Sequence, residues 1–247
     1  MENETIVIFG ASGGVGSKLA TQLSKQQKRV ILCSRNVSKL KILAAELNQT
    51  YMECDGTSEE EVNQVIEKAI GDFGKIDAVA NCIGSFCIKP IALTSLAEFN
   101  EVLRINLTSC FAVLKASVQK MAAQKKGSIV FISSCAAGIG LMNHEAISAA
   151  KGAIEALVRS AAASYAYKGV RINAIAPGLV DTPLSAPIMS NEASLKASIA
   201  FHPLGRIGSA DDVASAVAWL LSDQSSWITG QTLSVDGGLS HIKIKNS

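Results

Sequence analysis

The chain has no Cys-x-x-Cys pair, no apolar run of membrane-spanning length, no low-complexity tract and no internal repeat. Each absence removes a class of protein. The six cysteines, at 33, 54, 82, 87, 110 and 135, are scattered and mostly embedded in apolar runs. That argues against a disulfide scaffold or a metal module and for small core residues in a reducing compartment, so no metal is expected. Charge of one sign is also lacking. The formal net charge of +2 is too small for a nucleic-acid or membrane surface, and the basic stretch His241–Lys245 reads as a solvated tail. Glu2 and Glu4 precede the first apolar run, with no basic region, apolar signal segment or cleavage site. A cytoplasmic protein without nucleic-acid or membrane partners is expected. No Pro/Gly/Ser-rich linker interrupts the chain, so residues 1–247 are expected to form one domain.

What is present is an alternation. Hydrophobic residues make up 48% of the chain and charged ones 18%, and short apolar runs alternate with longer segments of helical period, the pattern of βα units wound into a parallel sheet. Strands are predicted at Thr5–Phe9, Arg29–Cys33, Thr50–Glu53, Ile76–Ala80, Ser128–Ser133, Val170–Ala176 and Thr232–Val235. Helices are predicted at Gly14–Lys25, Ser38–Leu47, Glu59–Phe73, Leu96–Gln124, His144–Tyr167 and Asp211–Leu221. One stretch breaks the rhythm: about 183–208 holds Pro183, Pro187 and Pro203, has weak periodicity and follows a strand. Long irregular loops beyond the carboxyl ends of parallel strands cover binding crevices, so this stretch is read as a substrate lid.

The first strand runs straight into Gly10-Ala11-Ser12-Gly13-Gly14-Val15-Gly16 and an amphipathic helix. At a strand-to-helix turn such glycines let the backbone approach a pyrophosphate and bring a helix N-terminus, with its unpaired N–H groups, toward the anion. Gly10, Ser12, Gly14, Val15 and Gly16 are therefore cofactor candidates in a single-domain Rossmann-type fold: α/β, doubly wound, three α/β/α layers around a parallel sheet. After the second strand come Ser34 and Arg35, where an NAD-specific protein would carry an acidic residue against the ribose. A planar cationic fork with a neighbouring hydroxyl suits a 2′-phosphate, so NADP(H) is preferred over NAD(H). Asp55 ends the third strand, placed either to accept from the adenine amino group or to cap the next helix.

These residues, with Asn81-Cys82-Ile83-Gly84 after the fourth strand, resemble the short-chain dehydrogenase/reductase family over nearly the whole chain. Arg171–Gly178 followed by Thr182 resembles the segment that packs along the nicotinamide in that family. Pro203–Gly208 and Thr229–Gly238 resemble its 3-oxoacyl reductase-like branch. The resemblance implies reduction of carbonyls or oxidation of alcohols on a small-molecule substrate, and a homo-oligomer, tetramer or dimer. It adds Asn81, Gly84, Lys151, Pro177, Gly178 and Thr182 to the cofactor set, and Ser134, Lys151 and Asn106 to the catalytic one. Asn106 interrupts an apolar helix face, where an amide is costly unless bonded; its alternative role is bracing a strand or a helix bend.

Two positions depart from the family pattern. Phe9 stands where the resemblance implies a threonine that braces the glycine loop. Ile147 stands four residues before Lys151, where it implies the acid/base tyrosine, and isoleucine has no proton to give. Tyr51 belongs to a strand on the adenine side, and Tyr165 and Tyr167 sit several turns along the helix, so none is an obvious substitute. His144 lies three residues before Ile147 and seven before Lys151, on the same face if the helix starts early, and is the candidate replacement, with Glu145 beside it and Ser148 a weaker candidate. A water is the other proton source. Two further readings stand: Asn143 or His144 simply caps the helix while Ile147 fills the vacated space, and the protein is a catalytically inactive NADP(H)-binding sensor or partner subunit.

Overall fold

The computed structural model describes residues 4–243; Glu2 and, from the basic tail, Ile244 and Lys245 lie outside them. In chain order the main elements are β1 (Thr5–Phe9), α1 (Gly14–Lys25), β2 (Arg29–Ser34), α2 (Val37–Leu47), β3 (Thr50–Glu53), α3 (Glu59–Phe73) and β4 (Ala78–Asn81). They continue with α4 (Leu96–Leu103), α5 (Ser109–Gln124), β5 (Gly127–Ile132), α6 (Glu145–Tyr165), β6 (Val170–Pro177) and β7 (Val180–Asp181). The chain then forms α7 (Ala186–Met189), α8 (Glu192–Phe201), β8 (Gly208–Ser209), α9 (Ala210–Leu221) and β9 (Thr232–Val235).

Seven strands form one parallel sheet in the order β3-β2-β1-β4-β5-β6-β9. The order reverses between β1 and β4, and that is where a crevice opens at the carboxyl ends of a doubly wound sheet. All five residues of β1 are buried because both faces are covered. Val7 and Phe9 join Ile31, Val79, Phe131 and Ile154 in a core under α3, α5 and α6. Ile6 and Ile8 join Val30, Leu32, Leu19 and Val217 on the opposite face under α1, α2 and α9. The period of two in side-chain direction thus divides one apolar run between two cores. No helix of the described residues is long and apolar enough to cross a membrane.

The strand and helix boundaries move for identifiable reasons. Ile76 is fully buried but stands outside β4: its N–H donates to Gln124 Oε1 and its carbonyl accepts from Gln124 Nε2. Apolarity therefore overshoots the ladder by two residues. Asn36, not a later residue, caps α2 by accepting from Lys39 N–H, and Ser95 and Ser209 close capping boxes with Glu98 and Asp212. The helix expected over Leu96–Gln124 carries a π turn at Arg104–Thr108 between α4 and α5. Within it Asn106 Nδ2 donates to Val102 O at 2.9 Å, the carbonyl that Asn106's own N–H would take in a regular helix.

The stretch expected to be irregular, about 183–208, is largely helical. It holds α7 and α8, and its two ends are clasped by the β7–β8 pair, Val180 opposite Gly208 and Asp181 opposite Ser209. No residue of α8 is buried, so it carries no apolar stripe for a periodicity argument to find.

Candidate active site

The glycine turn is shaped by close approaches that a side chain would forbid. Gly10 has φ +75°, and a Cβ there would lie 2.8 Å from the Cys82 carbonyl carbon; one on Gly16 would lie 2.3 Å from Gly10 O. Phe9 is 1% exposed and belongs to the core, so the turn is braced otherwise. Ala11 N–H donates to Cys33 O at 3.0 Å, and the Ser12 and Ser34 hydroxyls meet at 2.6 Å. No side chain caps α1, which leaves its positive end open to an anion.

In front of this turn lies a cleft of about 660 Å³, lined by Gly10, Ser12, Ser34, Arg35, Asp55 and Gly84 among others. Val15 and Gly16, in the first turn of α1, do not line it. Gly14 faces away toward Thr182, whose Cγ2 would be 2.6 Å from an added Cβ. Arg35 is exposed and has no ion-pair partner among the described residues. Asp55 does not cap α3: Ser58 does, by accepting from Glu61 N–H. Instead Asp55 Oδ1 accepts from Thr57 N–H at 3.0 Å and Thr57 Oγ1 at 2.9 Å. Partial burial raises its pKa, but these bonds and the nearby Arg35 and Arg104 charges outweigh it, so the carboxylate is held below its ordinary value.

Beyond Gly84 two polar side chains converge. Asn106 is fully buried; its Nδ2 also donates to Ser85 Oγ at 2.8 Å, and its Oδ1 accepts from Ser85 N–H at 3.3 Å. Lys151 is 5% exposed and its Nζ donates to Ile132 O at 2.8 Å. A Cβ on Gly84 would lie 3.4 Å from Asn106 Oδ1 and 3.6 Å from Lys151 Nζ, so both atoms stand directly behind this glycine, which itself lines the cleft. Ser134 follows β5, and its Oγ accepts from Ala136 N–H at 3.2 Å. Asn81 is likewise buried and does not line the cleft. Its Nδ2 donates to Ser109 Oγ and its Oδ1 accepts from Ile83 N–H, so it braces the loop that carries Gly84.

Burial pulls Lys151 down to about 8 from its ordinary 10.5, and burial pushes the flanking thiols of Cys82 and Cys110 up to about 12 and about 11. The ammonium is therefore costly to keep folded below pH 8. Because the unfolded chain holds that proton up to about 10.5, the penalty is relieved as pH rises between the two values. Comparing wild type with Lys151→Met by urea unfolding is expected to show a difference shifting by about 3 kcal/mol in favour of the wild type from pH 8 to 10.5. A difference independent of pH would show that Lys151 is not buried as an ammonium.

A family model described as enoyl-(acyl carrier protein) reductase matches residues 10–240. The chain is 33% identical over 247 residues to a 2,5-dichloro-2,5-cyclohexadiene-1,4-diol dehydrogenase of Sphingobium indicum, covering 98% of this chain and 99% of that one. Among solved structures, a short-chain type dehydrogenase/reductase from Mycobacterium ulcerans matches with TM-score 0.93 and 30% identity, over 97% of this chain and 90% of that one. ElxO with NADP bound matches with TM-score 0.90 and 31% identity, over 96% and 98%. The chain belongs to the short-chain dehydrogenase/reductase family.

In this short-chain dehydrogenase/reductase, Ile147 lies on α6 one turn before Lys151 and is 5% exposed. It packs with Val102 and Ala150, against Cys87 and Leu103. The helix does not start early: α6 begins at Glu145, so His144 sits at the N-cap with non-helical backbone, and its side chain caps nothing. His144 Nδ1 lies 2.8 Å from Met142 O. Asn143, at φ +64°, turns the chain into the helix, and its carbonyl accepts from Lys89 N–H, tying this turn to the loop after Gly84. Ser148 is bound into the helix as the donor to His144 O through its N–H.

Pro177 ends β6 and Gly178 follows it, and neither lines the cleft. The close neighbour of Gly178 is His202, whose Nε2 would be 2.5 Å from a Cβ and accepts from Leu179 N–H at 3.1 Å. His202 Nδ1 in turn meets Ser198 O at 2.7 Å, so this buried ring pins α8 to the end of the sheet. Thr182 N–H donates to Ser185 Oγ at 3.1 Å at the start of the same excursion. Sequence reasoning missed Gly13 and Thr57 in the cleft wall. The Asp55-Gly56-Thr57 spacing, an Asx-turn pattern, was the available signal for Thr57.

Proposed function

We propose that this protein is an NADP(H)-dependent oxidoreductase acting on a small-molecule carbonyl/alcohol pair or an activated double bond, with the proton supplied by His144 or a water instead of a residue at 147. The reading is carried by one arrangement: a cleft of about 660 Å³ is lined by Ser34, Arg35 and Gly84, and Asn106 and Lys151 stand directly behind Gly84. The glycine approaches at 10 and 16 leave room that a Cβ would fill, which fits a pyrophosphate against the backbone. The NADP-bound relative and the diol dehydrogenase support the cofactor and the alcohol class.

Bound NADPH would supply a hydride, and a carbonyl so reduced needs a proton on its oxygen. Ser134 Oγ already accepts from Ala136 N–H, so its O–H remains to donate to a substrate oxygen. Lys151 spends one N–H on Ile132 O and keeps two for a ribose hydroxyl. With Nδ1–H donating to Met142 O, His144 can give a proton from Nε2 only as the imidazolium. The excursion at about 183–208 is the proposed lid over the substrate. The exposed Phe111 on α5 supports a homo-oligomer through the long helices.

The packing of Ile147 in an apolar cluster favours a second reading, an NADP(H)-binding protein without turnover. Titration with NADPH and NADH by fluorescence, then NADPH oxidation over ketones, quinones and enones at several pH values, separates the two. Through His144, turnover is expected to drop about 10²-fold or more in His144→Ala with NADPH affinity intact. Unaltered turnover in that variant assigns the proton to water. Tight NADPH binding with no turnover on any substrate assigns the second reading.

A further inference from the structure

A second arginine, Arg104, reaches the adenosine end of the cleft from the π turn. Glu101 on α4 grips it: Nε donates to Oε2 at 2.7 Å and Nη2 to Oε1 at 2.8 Å. That fork aims the remaining nitrogen, Nη1, at Thr57 Oγ1, 2.5 Å away. Thr57 lines the cleft and gives both its N–H and its O–H to Asp55 Oδ1. A hydroxyl has one proton, so accepting from Arg104 leaves the Thr57 proton to point at Asp55. Asp55 Oδ2 accepts no hydrogen bond among the described residues, and Asp55 borders the cleft.

We propose that Arg104 is a positioning residue for the adenosine end of the dinucleotide, acting through Thr57 to hold Asp55 with Oδ2 available to an adenine amino group. This rests on the NADP(H) reading above and deepens it. The Arg104–Glu101 pair is 42% and 52% exposed, and an exposed pair contributes little to folding. The effect of the relay therefore belongs to binding. It also joins the two ends of the site, because Arg104 and Asn106 share the π turn and Asn106 stands beside Lys151 across Gly84.

The test is fluorescence titration of wild type, Arg104→Met, Arg104→Lys, Thr57→Val and the Arg104→Met/Thr57→Val double variant. The probes are NADPH, NADH and 2′-phospho-ADP-ribose, which lacks the nicotinamide. Arg104→Met is expected to bind all three about tenfold more weakly, the scale of one lost hydrogen bond to a charged group, with an unchanged melting temperature in the absence of ligand. Thr57→Val should lose the same factor and the double variant no more, since both act in one relay. Lysine should not rescue, because a point donor cannot hold Glu101 and Thr57 together. Unchanged affinity, additive losses, or a loss confined to the two 2′-phosphorylated probes overturns the positioning role; the last would make Arg104 a phosphate ligand. Wild type that binds neither dinucleotide overturns the underlying NADP(H) reading and the relay with it, and is read before any variant.

Discussion

Ile147→Tyr is expected to raise ketone reduction by about 10²–10⁴-fold, the usual contribution of a positioned general acid. The argument is geometric. Residue 147 lies four before Lys151 on α6, so the two side chains share a helix face, and a neighbouring ammonium lowers a phenol's pKa toward the working range. Lys151 is already held in place by Ile132 O, so no further group has to be built. The cost is in packing: position 147 is 5% exposed among Val102, Ala150, Cys87 and Leu103, and enlarging such a site destabilises by about 1–3 kcal/mol. Ile147→Phe separates the two effects, since it carries the bulk without the hydroxyl. Steady-state NADPH oxidation with all three proteins is the measurement. A tyrosine variant that folds and binds NADPH but turns over no faster than wild type would mean that the Ser134–Lys151 region is not a reaction centre.

The second large effect concerns the cofactor. Arg35→Glu should weaken NADPH binding by about 10²–10³-fold while leaving NADH within a few-fold. Losing a hydrogen bond to a charged group costs about 1.5–3 kcal/mol, and a carboxylate in its place adds repulsion toward a 2′-phosphate. The same carboxylate accepts from ribose hydroxyls, which compensates for NADH. Because Arg35 is exposed and has no ion-pair partner among the described residues, folding stability should change by no more than about 0.5 kcal/mol. Equal losses for both dinucleotides, read by titration, would remove Arg35 as the selector between them.

These two predictions differ in how much of their basis was legible in the sequence. Arg35 follows an apolar strand that follows a glycine turn, and its exposure and place in the cleft are what that order implies. Ile147 was legible as an absence, but what surrounds it was not. Val102, Leu103 and Cys87 come from α4 and the loop after Gly84, and no local pattern announces that they meet α6. The π turn shows the same division. Asn106 stands out as a polar residue on an apolar face, yet that its amide bonds both the Val102 carbonyl and Ser85 is visible only in the fold.

The sequence by itself determined the alternation of buried strands and amphipathic helices, the glycine turn at the first βα junction, the serine–arginine pair at 34 and 35, and the isoleucine four residues before Lys151. These are properties of neighbours along the chain, set by periodicity and by which residues lack a Cβ or a titratable group. Tertiary structure decided the rest. It turned Asn81 inward, gave the α3 cap to Ser58 rather than Asp55, set His144 at a helix start instead of on a helix face, folded the 183–208 stretch into helices pinned by His202, and linked Arg104 to Asp55 through Thr57. The physical reason is that a polar side chain pairs with whatever donor or acceptor packing brings within about 3 Å, and those partners come from elements far apart in the chain.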